Sequence, residues 1–201
     1  SVSLVRYGLV LVSVISVFLT YQRSHAWENE ISLWEDNAQK YPDSVRVWIN
    51  LGSAHMKNGN PSAAEPVFLR AVKVNPSNLE ARSNLALFRL GQGKIDEAVS
   101  LIEGVRIDSK KIVDSEIYFN FGVVYAKDGQ FQKAINNYRR ALNQNPNYTQ
   151  AWYNMGLIYE RLGDSQTSVL CLKEFLTRWG EDLDNPFVVE AKRLVAKQNS
   201  P

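Results

Sequence analysis

One set of residues returns along the chain at a fixed interval. Trp48, Leu51, Gly52, Gly59, Ala64, Phe68, Ala71 and Pro76 are echoed by Tyr118, Phe121, Gly122, Tyr125, Gly129, Ala134, Tyr138, Ala141 and Pro146. Trp152, Met155, Gly156, Tyr159 and Gly163 repeat the pattern again. A period of about 34 residues leaves few folds open, because a unit that short cannot bury its own apolar face and must stack on its neighbours. Numbered from the first helix, the units start at Val45, Leu79, Ser115 and Thr149, which are 34, 36 and 34 residues apart. Large residues at places 4, 7, 11 and 24 are expected to interlock between two antiparallel helices. Small ones at places 8, 20 and 27 let the two backbones approach. Gly59, Gly93, Gly129 and Gly163 fall between the helices of each pair, where a left-handed residue ends the first.

These places define a pattern that resembles the tetratricopeptide-repeat family, with the likeness running from residue 43 to residue 182. It implies an all-α fold: a right-handed superhelical solenoid of about four helix hairpins, 45–78, 79–114, 115–148 and 149–182. Repeats one and three fill nearly every place. Repeat four carries Ser168 and Phe175 where small Ala is usual. Repeat two departs most: Arg82, Ala86 and Arg89 replace aromatic, Gly and aromatic residues, and two extra residues fall within 106–114. Drift in a tolerant loop and a softer joint both fit that departure. Trp34, Tyr41 and Pro42 suggest that 23–42 is a membrane-proximal half-repeat. At the other end, 183–201 reads as a capping helix and tail, with Phe187, Ala191, Leu194 and Val195 as its apolar stripe. An interface to another protein is the alternative for that stripe.

The first residues have another composition. From Tyr7 to Tyr21 there is no charge, and Leu, Val, Ile and Phe fill most positions. A bilayer core of about 30 Å needs about 20 apolar residues in helical form, so 1–22 is expected to be a transmembrane helix, with Arg6 snorkelling to an interface. No small-x-small site follows that would suit signal cleavage. The junction of this segment with Trp27, Leu33, Trp34, Pro42 and Asn50-Leu51-Gly52 resembles the carboxy-terminal part of polytopic, glycosyltransferase-like membrane proteins that end in tetratricopeptide repeats. That likeness implies that 1–22 is the last of several membrane helices. It also implies that the repeats lie outside the cytoplasm, in a periplasm or lumen.

The family binds partners along the first helices, whose places 2, 5, 6, 9, 12 and 13 share a face. Place 6 holds Asn50, Asn84, Asn120 and Asn154. A carboxamide offers one acceptor and two donors and can pair with both backbone groups of an extended peptide. Bonding within its own hairpin is the other reading. Ile49, Phe119 and Tyr153 at place 5, and Leu87, Val123 and Leu157 at place 9, add an apolar lining. Lys57, Lys127 and Arg161 at place 13 form a basic row that either favours an acidic partner or is plain solvated surface. The expected partner is a protein or peptide in this groove, with the lipid bilayer at 1–22 and other subunits of a membrane complex as further candidates.

Nothing points to an enzyme or a cofactor. The histidines are His25 and His55, and His55 stands at a packing place without Cys, Asp or Glu at ligand spacing. Gly91-Gln92-Gly93 closes a helix pair and follows no strand, so it is no phosphate loop. The lone Cys171 lies between Leu170 and Leu172 and reads as a packing residue. Lys and Arg number 23 against 21 Asp and Glu, and the signs are interspersed, so no nucleic-acid face stands out.

Overall fold

The computed structural model describes residues 29–104, 113–179 and 184–198. The expected transmembrane helix at 1–22 lies outside them, as does most of the stretch 106–114 that carries the two extra residues of repeat two. Among the described residues no helix is long and apolar enough to cross a membrane. These residues form ten helices and no strand. They are α1 (Glu30–Lys40), α2 (Val45–Lys57), α3 (Pro61–Val74), α4 (Leu79–Gly91), α5 (Ile95–Ile102), α6 (Ser115–Lys127), α7 (Phe131–Gln144), α8 (Thr149–Arg161), α9 (Ser165–Trp179) and α10 (Pro186–Gln198).

Helix starts and stops have local causes. Asn29 accepts from the Ser32 amide at 2.9 Å and Asp114 from the Glu116 amide at 2.9 Å, each satisfying an orphan N–H at a helix start. Between α6 and α7 the chain turns at Gly129, whose φ of 79° lies in the left-handed region that side chains resist. The Gln130 amide then bonds back to the Tyr125 carbonyl at 2.9 Å and closes the corner.

The described residues divide into two compact units, the first ending at Ala81 and the second beginning at Arg82. In the first, α1 packs on α2, with Ala38, Val47 and Leu51 buried among Ile31, Trp34, Trp48 and Val67. The Trp48 indole donates to the Pro42 carbonyl at 2.8 Å, so the place-4 aromatic pins the preceding turn. Gly52 lies under the Phe68 ring, which any Cβ there would overlap.

In the second unit the same device recurs. A Cβ on Gly122 would overlap the Tyr138 ring, and one on Gly156 would come within 2.7 Å of Leu172. Tyr138 and Leu172 are fully buried as a result. One core runs from Ala86 through Phe121, Tyr138 and Met155 to Cys171. A second joins Leu172 and Phe175 to Val188, Ala191 and Leu194 of α10. Phe175 is large where the repeat favours a small residue because α10 gives it a surface to fill. The buried stripe of α10 is Val188, Ala191 and Leu194, one residue out of step with the expected start at Phe187, whose side chain is exposed. The Trp152 indole donates to the Pro146 carbonyl, repeating the Trp48 contact. Ser168, at a place made for Ala, donates to the Gly156 carbonyl at 2.9 Å and so buries its hydroxyl without loss.

Candidate peptide-binding groove

The expected groove residues meet different fates. Ile49 is 3% exposed and packs with Ala71 and Ala81, so it belongs to the core of the first unit and offers a partner no surface. Asn50 is half-buried, and Lys57 is exposed and paired with Glu30 at 3.1 Å. In the second unit Asn84 and Leu87 are half-buried on α4. Asn120 is buried, and its Nδ2 donates to the Ser83 hydroxyl at 3.1 Å, which ties α6 to α4. Phe119 stacks against Tyr138 and Tyr148, with centroids 5.6 and 4.9 Å away. Tyr153 lies between Phe175 and Phe187 at 5.1 and 5.2 Å.

Five of the expected residues do converge. Val123 and Lys127 of α6, with Asn154, Leu157 and Arg161 of α8, line a recess of about 280 Å³. Its floor comes from Phe131 and Tyr138 of α7, and Ala126 and Ile158 complete the wall. Val123 and Leu157 are half-buried, whereas Lys127 and Arg161 are exposed at the rim. The Arg161 guanidinium sits 5.0 Å from the Phe131 ring centroid, a cation–π contact that holds its long side chain over the opening. Asn154 Nδ2 donates to the Tyr138 hydroxyl at 3.3 Å, and its carbonyl oxygen accepts no bond from a described residue. Burial drives the Tyr138 phenol far above its usual value, so it stays protonated.

The groove expected from the sequence leaves out Phe131 and Tyr138, since it is drawn from the first helices alone. Elsewhere, His55 is buried with no partner for Nδ1 among the described residues. Burial pushes the Cys171 thiol up to about 11, so it stays protonated at neutral pH. No group of three His, Cys, Asp or Glu among the described residues is placed to hold a metal.

Paired helices of this length, closed by a left-handed Gly and stacked through Gly–aromatic contacts, define a helical-repeat protein. Residues 37–110 and 149–178 match tetratricopeptide-repeat family models, and residues 122–163 match a further one described as a TPR repeat. The chain belongs to the tetratricopeptide-repeat family. It is similar to the photosystem I assembly protein Ycf3 of Synechococcus sp. (strain CC9605), 33% identical over 98 residues, which cover 46% of this chain and 57% of that protein. It is also similar to the general transcriptional corepressor trfA of Dictyostelium discoideum, 30% identical over 120 residues, 58% of this chain and 8% of that one. The chain thus spans a little over half the length of the Ycf3 relatives of Synechococcus and Prochlorococcus that it matches. Among solved structures, PilW, a type IV pilus biogenesis factor, superposes with a TM-score of 0.70 at 18% identity, over 92% of this chain and 86% of that one. YrrB, described as having an unusual peptide-binding site, gives 0.62 at 15% identity over 82% and 83%. At such identities these two establish the fold alone.

Proposed function

We propose that this chain is a non-catalytic scaffold that holds an extended segment of another protein against the first helices of its repeats. The recess between α6, α7 and α8 carries this reading. It joins an apolar floor, a carboxamide with a free acceptor and two cationic side chains within one opening. An extended strand presents side chains and backbone groups in alternation, and such a lining meets both. Asn84 and Leu87 of α4 are the candidate continuation of the contact row, and Asn50 its counterpart in the first unit. Asn120 is left out because its amide is committed to Ser83. The likeness to a photosystem I assembly protein supports an adaptor role in building a larger complex. Residues 1–22 would tether the scaffold to a membrane, with the repeats on the extracytoplasmic side.

The test is panning of a random ten-residue peptide display library on the full chain in detergent micelles. Peptides that bind the parent should lose at least tenfold in affinity on Val123→Asp or Asn154→Ala. Both variants should keep the parent's helical circular dichroism. Binders that ignore both substitutions would move the site elsewhere and remove this recess from the account.

A further inference from the structure

The rim of the recess carries two cations and its lining carries no carboxylate. That bias is local, because the chain as a whole has 23 basic and 21 acidic residues. Neither of the acids nearest in sequence lines the recess: Asp128 accepts from the neutral Gln130 amide and keeps its charge, and Glu160 pairs with Lys197 at 3.1 Å. The three basic residues at place 13 also differ in use. Lys57 is neutralised by Glu30, whereas neither Lys127 nor Arg161 has a carboxylate partner among the described residues. Arg161 is held by its ring contact with Phe131, which leaves the edge of the guanidinium free to donate. A volume of about 280 Å³ falls just below the usual range of small-molecule clefts and suits one or two side chains of a bound polypeptide.

On the reading that this groove binds peptide, we propose that it selects an acidic segment. An apolar side chain of the partner enters between Val123, Phe131 and Leu157. An Asp or Glu beside it in the partner pairs with Lys127 and Arg161. The apolar contact supplies affinity, and the charge pair at the wet rim supplies register and discrimination. A partner with Lys or Arg at the same position would meet two like charges and be rejected.

The experiment compares peptide selections on the parent, on Lys127→Glu/Arg161→Glu and on Lys127→Gln/Arg161→Gln. The parent should enrich Asp or Glu within two residues of Leu or an aromatic. Those peptides should bind the Glu variant at least about tenfold more weakly, and the Glu variant should enrich Lys or Arg at the same position. The Gln variant should keep the apolar preference and lose the acidic one. Both side chains are exposed and Arg161 gives up only its contact with Phe131, so the variants should keep the parent's helical circular dichroism and unfold cooperatively, at a midpoint slightly below the parent's. Parent binders without acidic enrichment, or with equal affinity for the Glu variant, would overturn the acidic selection while leaving the peptide groove intact. A library that yields no binder to the parent would overturn the groove itself.

Discussion

In the third hairpin Gly122 lies beneath the Tyr138 ring, while the second hairpin fills the same two places with Ala86 and Ile102, both buried. A methyl is gained at one place and an aromatic ring becomes a branched aliphatic at the other, so the summed volume stays near what the helix pair can hold. Place 4 differs as well. Tyr118 of the third hairpin lies under the Arg140 guanidinium at 5.8 Å. In the second, Arg82 donates from Nε to the Leu101 carbonyl at 2.5 Å and from a terminal nitrogen to the Glu103 carbonyl at 3.4 Å. Those carbonyls end α5 after 8 residues, against 14 for α7. The arginine here reaches two carbonyls at the end of α5 at once and places positive charge at the helix C-terminus, where the place-4 indoles Trp48 and Trp152 each reach a single carbonyl and carry no charge. A repeat that looks degenerate by residue type can keep its packing by another route.

The largest effect should come from breaking the Gly–aromatic contact. Tyr138→Ala empties a fully buried site and should cost about 3–5 kcal/mol in urea unfolding followed by circular dichroism. A sharper test exchanges the two solutions. Gly122→Ala in the parent should cost about 1–3 kcal/mol by overpacking the ring. In a Tyr138→Ile background, which copies Ala86 and Ile102, the same change should be milder by at least about 0.5 kcal/mol. Equal costs in both backgrounds would mean that the ring does not dictate glycine.

At place 4 the expected changes are smaller and unequal. Arg82→Ala removes charged hydrogen bonds that are partly buried and should cost about 1.5–3 kcal/mol. Hydrogen exchange over residues 95–102 should speed up with it. Arg140→Ala removes only an exposed cation–π contact, for which about 0.5–1 kcal/mol is expected. If the two variants prove equally mild, Arg82 is a surface residue and the shortness of α5 has another cause.

Much of the hairpin architecture was legible because it depends on side-chain volume, and Gly52, Phe68, Gly122 and Tyr138 declare their volumes in the sequence. The groove was legible only in part. Place 6 fixes the face of a helix on which an Asn stands and says nothing of what it meets. Asn120 reaches Ser83 because place 5 of the preceding repeat holds a small hydroxyl there. Asn154 has Phe119 at the corresponding place and bonds to the Tyr138 phenol instead. The clue to Asn120 is Ser83, the one small residue at place 5, where the other repeats carry Ile49, Phe119 and Tyr153. Ile49 was misplaced for a related reason, since an apolar residue on a groove face serves either a partner or the next hairpin equally well.

The smallest effect concerns how the second helices start, where the fourth hairpin again departs from the third. Asp164 accepts from the Thr167 amide at 3.1 Å ahead of α9, whereas Gln130 makes no side-chain cap to α7. Hydrogen bonds from Thr167 hold the Asp164 carboxyl below its ordinary value of 3.8. A lowered folded value means that the charged cap stabilises in full above the ordinary value. Its contribution fades as the pH drops through the lower folded one. Asp164→Asn keeps an acceptor at the helix start and removes the charge that favours the N-terminal dipole. Its urea midpoint should fall slightly below the parent's at pH 7 and meet it near the acid end of the titration. Gln130→Asp should move α7 the other way, raising the midpoint at pH 7 with the same acid dependence. A parent-to-variant gap that stays constant across the whole range would show that the charge on Asp164 plays no part in starting α9.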